Sequence, residues 1–214
     1  MSAKLPVKHI PIDFKREMRE LYAAAREPAL VDVPELAFIM IDGHGDPNTA
    51  PEYSEAIEAL YTIAYTAKFA VKRAPEGIDW GVMPLEGLWW TPDMAQFTTA
   101  EKSAWDWTMM IMQPDCVTTE VFEDARAKAA EKKPLDAIGN VRLESLTEGP
   151  AAQIMYIGPY ATEGPTIELL HAFIAEQGYE RSGKHHEIYL SDPRRTAQEK
   201  LKTIIRQPLA AGSA

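Results

Sequence analysis

Pro84-Leu85-Glu86-Gly87-Leu88-Trp89-Trp90-Thr91-Pro92-Asp93 and His185-His186-Glu187-Ile188-Tyr189-Leu190-Ser191-Asp192-Pro193 read as two versions of one pattern. In each, one acid lies inside an apolar, aromatic run, and the run ends at an Asp/Pro turn. The runs are short, apolar and aromatic, so both are predicted strands. A carboxylate in a half-buried strand is costly unless it has a partner or a task. The same cost at matching places of an internal repeat predicts a two-fold cleft with an acid on each wall.

Working outward from these strands, the repeat extends through most of the chain. Leu36–Asp42 is apolar and ends at the turn Gly43-His44-Gly45-Asp46-Pro47. Ala152–Ile157 is similar and ends at Gly158-Pro159-Tyr160. A helix is predicted after each. The first, over Pro51–Arg73, carries Tyr53, Ile57, Leu60, Tyr61, Ala64, Tyr65 and Phe69 at helical spacing. The second, over Pro165–Gln177, carries Ile167, Leu170, His171 and Ile174 and stops at Gly178. Two strands follow each helix, Asp79–Trp90 and Trp105–Gln113 in the first half, His185–Leu190 and Leu201–Gln207 in the second. The closing strands end alike, in Gln113-Pro114 and Gln207-Pro208. A short strand precedes each unit, near Leu30–Val33 and Asn140–Leu146. The expected fold is α+β, with about eight antiparallel strands and two main helices on one face. The halves fall at 28–116 and 136–210 within one domain. A charged helix over Val117–Lys133 joins them, and a helical arm is predicted over residues 13–27.

Composition narrows the function. The chain has 214 residues, 46% of them hydrophobic, enough for a sizeable core. Thirty-two acidic against 22 basic residues give a net charge of −10, which disfavours a nucleic-acid partner. The basic cluster Arg194, Arg195, Lys200, Lys202 and Arg206 is interrupted by Glu199 and reads as a solvated surface. Cys116 is the single cysteine, which excludes an internal disulfide and a cysteine zinc site. No signal peptide and no apolar run of membrane-spanning length is evident, so a cytoplasmic protein is expected.

Strand alternation sorts the candidate site residues. One face of the second acidic strand carries His185, Glu187 and Tyr189, the other His186, Ile188 and Leu190. The more apolar set is expected against the helix, leaving Glu187 and Tyr189 on an open face. Glu86 shares parity with Trp80 and Trp90, while Trp105 and Trp107 share a face of the next strand. All five tryptophans lie between residues 80 and 107. Aromatic walls bind flat, apolar ligands, and a carboxylate beside them can bind a cation or act as a base. Aromatic residues at strand spacing are also common core, and spacing alone leaves both readings open. Gly178–Lys184 resembles the start of a phosphate-binding loop, but His185 replaces the Ser/Thr and the segment runs from helix to strand. His185-His186-Glu187 is a poor metal set, because adjacent strand residues point to opposite faces. No metal and no cofactor is expected.

Several stretches resemble a known family: Asp13-Phe14-Lys15-Arg16-Glu17, Ile41-Asp42-Gly43-His44-Gly45-Asp46-Pro47-Asn48, Pro84–Trp90, Trp107–Pro114 and His185–Thr196. The chain resembles stand-alone members of the GyrI-like small-molecule-binding family over nearly its whole length. The resemblance implies duplicated strand–helix–strand–strand (SHS2) modules with a ligand cleft between them. The same fold serves as the effector-sensing half of multidrug-responsive transcription activators, where an acid at the position of Glu187 meets cationic aromatic drugs. Some stand-alone relatives resemble hydrolases that open the cyclopropane ring of DNA-alkylating natural products, which implies Glu86 and Glu187 as the acidic pair. A planar aromatic substrate is then expected to stack on Trp90 and Trp107, with Tyr189 beside it. One carboxylate activates water, and Tyr65, Tyr156 or Tyr160 supplies a proton. The competing readings are a protein that sequesters planar or cationic drugs without turnover and one that shields a cellular target.

Overall fold

The computed structural model describes residues 11–75, 77–94, 97 and 101–212. Its centre is one antiparallel sheet, ordered β1-β6-β9-β8-β3-β4-β2-β5, with short β7 on the end of β9. The strands are β1 (Ala29–Val33), β2 (Leu36–His44), β3 (Leu85–Trp90), β4 (Asp106–Gln113), β5 (Arg142–Leu146), β6 (Gly149–Ile157), β7 (Tyr179–Arg181), β8 (His185–Tyr189) and β9 (Lys202–Ala211). Nine strands replace the expected eight or so. Two short turns of helix, α1 (Phe14–Glu17) and α2 (Arg19–Tyr22), stand where one arm was expected. The longer helices are α3 (Pro51–Arg73), α4 (Thr119–Lys132) and α5 (Gly164–Glu176).

The first half runs β2-α3-β3-β4, and the second runs β6-α5-β8-β9 with the short β7 inserted after α5. The halves meet where β3 pairs with β8, with Gly87 directly opposite Glu187. The short strand before each unit does not stay with it. β1 pairs with β6 of the second half, and β5 pairs with β2 of the first. Each half therefore extends the other's edge, and the two share one sheet.

α3 begins with Pro51 in its first turn and ends at Ala74, whose extended backbone precedes Pro75. Its buried stripe is Ala56, Ala59, Leu60, Ile63, Ala64 and Ala67, and the small alanines let it approach β2 and β4 closely. α4 is capped by Thr118, whose hydroxyl accepts from Val121 N–H, and packs on α3. Both long helices of the repeat lie on one face of the sheet. Tyr53 of α3 reaches Trp89 and Trp107. Ile167, Leu170 and Ile174 of α5 pack on Ala152, Ile154, Tyr156 and Ile205. Ladder partners share a face, so Ile205 places Glu187 on this helix face too. The expectation that His186 and Ile188 face the helices is thus reversed. The other face is covered by the N-terminal segment, where Leu21 and Tyr22 are buried. β4 is covered on both sides, and every residue from Trp107 to Gln113 is buried. Among the described residues, no helix is long and apolar enough to cross a membrane.

Candidate functional site

Glu187 sits at the seam between the halves, only 6% exposed. His185, two residues back on the same strand face, brings Nε2 to 3.2 Å from Glu187 Oε1. Tyr189, two residues on, lies on the same strand face beside Glu187, and its hydroxyl accepts from Trp89 Nε1 at 3.0 Å. Gly87 makes that last contact possible. A Cβ there would lie 2.7 Å from Trp89 Nε1, so only glycine leaves room for the indole beside Glu187.

The second acid of the site comes from the helix start. Glu163, immediately before α5, stands within the electrostatic reach of Glu187. Two neighbouring buried carboxyl groups do not both ionise readily. Burial and the Glu187 charge push Glu163 well above the usual carboxylate range. Burial works in the same direction on Glu187, but the neighbouring His185, Tyr189 and Glu163 outweigh it and hold Glu187 below its ordinary value. The pair is one acid and one base, separated by their surroundings. Tyr160 crosses Tyr189 edge-on at 5.6 Å, and burial followed by the Glu187 charge raises its hydroxyl to about 12. Tyr53 is raised by the same two causes. Trp105 meets Trp89 edge-on at 5.6 Å and stacks on Phe97 at 4.8 Å, and Phe97 leans over His185 at 5.2 Å. The acid pair is thereby walled by Tyr53, Trp89, Phe97, Trp105, Tyr160 and Tyr189.

Of the residues expected in the site, Glu187, Tyr160 and Tyr189 come together. Glu86 does not join them. It faces Ile188 in the ladder, on the opposite side of the sheet from Glu187. There it accepts from the Tyr22 hydroxyl at 2.8 Å and lies 3.0 Å from His186 Nε2. His186 Nδ1 contacts Glu148 at 2.9 Å, so both ring nitrogens donate to carboxylates and the ring is an imidazolium. Although its burial opposes the charge, Glu148 and Glu86 raise His186 to about 9. Arg206 completes the cluster, donating to Glu148 at 3.1 Å and to the Leu21 carbonyl at 2.7 Å. Gln153 adds a bond of 2.7 Å to the Glu20 carbonyl. Glu86 thus belongs to a buried charge network that fastens the N-terminal segment. Trp90 shares its face and carries Lys184 Nζ 3.3 Å over its ring. Trp107 is on the helix face but is core, 1% exposed beneath Tyr53 and over Gly43. Tyr156 donates to the Pro159 carbonyl at 2.7 Å and pairs with Thr162, tying the turn before α5. Tyr65 is exposed in a stack between Tyr61 and Phe69 on α3.

The residues missed were Glu163, Tyr53 and Phe97. Glu163 lies two residues before Pro165, where the other half has Thr49 before Pro51, so the repeat could not point to it. With this geometry in place, the comparisons decide the family. The family model of the GyrI-like small molecule binding domain matches residues 26–210. The chain belongs to that family.

Two solved structures from Listeria innocua are similar to this member. An uncharacterized conserved protein is 42% identical with a TM-score of 0.86, covering 93% of this chain and 100% of its own. A hydrolase is 41% identical with a TM-score of 0.82 and the same coverage. The C-terminal domain of EcmrR shares the fold at 14% identity, with a TM-score of 0.53, over 86% of this chain and 98% of its own. A comparison with curated proteins finds no match.

Proposed function

We propose that this GyrI-like domain binds a flat aromatic small molecule against the aromatic wall of the Glu163–Glu187 pair and hydrolyses it. The substrate class is the cyclopropanoid DNA-alkylating genotoxins, in which a strained ring is conjugated to a dienone. What carries the reading is the acid–base pair itself, a carboxyl raised and a carboxyl lowered side by side inside an aromatic enclosure. The 41% identity to a Listeria hydrolase supports it.

Glu187 is the base. It takes a proton from a water as the water oxygen attacks the unsubstituted ring carbon. The cyclopropane C–C bond breaks, and its electron pair flows through the dienone to the carbonyl oxygen as the ring system becomes aromatic. Glu163 gives its proton to that oxygen, leaving a phenol and an alcohol. The proton on Glu187 then passes to its neighbour Glu163, which resets the pair. Water and substrate are consumed one for one, and no other reactant is needed.

An aromatic box around an anionic Glu187 also suits a cationic ligand that is held and not transformed. Turnover separates the two. With a cyclopropanoid alkylator in large molar excess, hydrated ring-opened product should exceed the protein concentration many times over in mass spectrometry. Product that stops at one equivalent would leave a binding protein.

A further inference from the structure

His171 lies two turns along α5 from Glu163 and is used by nothing described so far. Arg181 Nη1 stands 3.0 Å from its Nδ1. A guanidinium has donors only, so Nδ1 must offer its lone pair and the neutral ring must carry its proton on Nε2. That Nε2 is buried, and it has no hydrogen-bond partner among the described residues. Buried N–H groups in this state are rare and call for an explanation. Protonation does not relieve it. Burial, the Arg181 charge and His185 lower the ring to about 4, so it is neutral at neutral pH.

Its surroundings connect it to the acid pair. On either side of it, Leu170 and Ile174 of α5 pack with Ile205, the ladder partner of Glu187, and on that same face His185 contacts Glu187 and lies under Phe97. Trp105, stacked on Phe97, has a second buried and unpartnered N–H, and Glu163 Oε2 is an unpartnered acceptor among the described residues. The helix face therefore holds spare donors on the His185 side of Glu187 and a spare acceptor on the Glu163 side. An anionic group would be repelled by Glu187, whereas a neutral oxygen on a flat ring suits both the N–H and the aromatic wall.

We propose that His171 is a ligand-binding residue of this site, donating from Nε2 to a neutral acceptor on the flat ligand, such as an aryl carbonyl oxygen other than the dienone oxygen that takes the Glu163 proton. Arg181 is its positioning residue, fixing the tautomer without touching the ligand. The inference rests on the reading that a flat ligand occupies the Glu187 site. It adds what that ligand must present there.

Fluorenone and fluorene test it, since they share a skeleton and differ by one carbonyl. Equilibrium dialysis should give the wild-type protein about tenfold tighter binding of fluorenone, the ratio expected of one good hydrogen bond. His171→Phe should bring that ratio to one while fluorene binding is kept. Arg181→Met, at an exposed position, should reduce the ratio by freeing the ring to turn its lone pair toward the ligand. A purely structural His171 would weaken both probes equally. A ratio of one in the wild type, or one left unchanged by His171→Phe, overturns the inference and leaves the site reading standing. Absence of binding by either probe overturns both.

Discussion

The buried imidazolium on the back of the sheet makes stability fall as pH rises. His186 has an ordinary value of 6.5 and stands at about 9 in the folded chain. Its folded-state value is raised, so its contribution is complete below 6.5 and is lost as pH climbs through 9. The gap corresponds to about 3 kcal/mol at roughly 1.4 kcal/mol per tenfold change. Glu148 reports the other side of the same interaction. It is lowered to about 2, so its share is present above about 4.5 and is lost only as pH falls toward 2. The two describe one ion pair and are not added. Glu163 also contributes a fall with rising pH, because a carboxyl raised by folding keeps a proton that the unfolded chain releases near 4.5. The wild-type slope alone is therefore not the measure. Urea unfolding of the wild type and His186→Gln between pH 6 and 10 isolates the term. The variant should be less stable at pH 6, and the difference should shrink by about 3 kcal/mol as pH rises to 10. Parallel curves across this range would refute the imidazolium assignment.

Glu86→Gln should lower stability by about 1–3 kcal/mol, since it weakens a buried charge network, yet leave turnover near the wild-type rate in the product assay. A loss of turnover in a folded variant would return Glu86 to the site. Glu187→Gln should cut turnover by about a hundredfold or more while ligand binding persists in equilibrium dialysis. The wild-type rate should be bell-shaped in pH, falling on the acid side as Glu187 is protonated and on the alkaline side as Glu163 loses its proton. Glu163→Gln should remove that alkaline limb along with most of the rate, and an unchanged profile would show that the proton comes from elsewhere. Gly87→Ala places a Cβ 2.7 Å from Trp89 Nε1. It should cost about 1–3 kcal/mol in thermal unfolding and weaken ligand binding by displacing the indole from Tyr189.

The two long repeat helices and the strands after them were legible because their hydrophobic periods are strong. The pairing of the edge strands was not, since β1 and β5 are too short to say which half they join. The site was misread by one residue. Aligning Glu86 with Glu187 matched acid to acid, but the ladder matches otherwise. The closing Gln113-Pro114 and Gln207-Pro208 carry Ile111 onto Ile205. Leu85 pairs with Ile111, and Glu187 with Ile205, so the counterpart of Glu187 is Leu85. In a strand a slip of one residue moves a side chain to the other face, which is how Glu86 came to be expected in the cleft. Trp90 went with it for the same reason. Trp107 and Tyr156 do lie on the face of Glu187, but both are occupied in packing or hydrogen bonding, which alternation does not reveal.

That slip also explains why the site is lopsided. If both halves had kept an acid at the position of Glu187, two carboxylates would face each other across the β3–β8 seam, and their repulsion would have to be met by a shared proton or a cation. The first half instead has Leu85 there and glycine at 87. The room left at the seam is filled by its aromatic residues, Trp89 and Tyr53, with Trp105 behind them. The second half supplies both acids, one from β8 and one from the turn before α5, near enough for the Glu187 charge to raise Glu163. One wall is therefore chemical and the other is a surface for flat rings. A symmetric duplication could bind a flat ligand in two equivalent orientations. On the function proposed above, both acids come from one half, so a single ligand orientation sets base and acid against their reacting atoms.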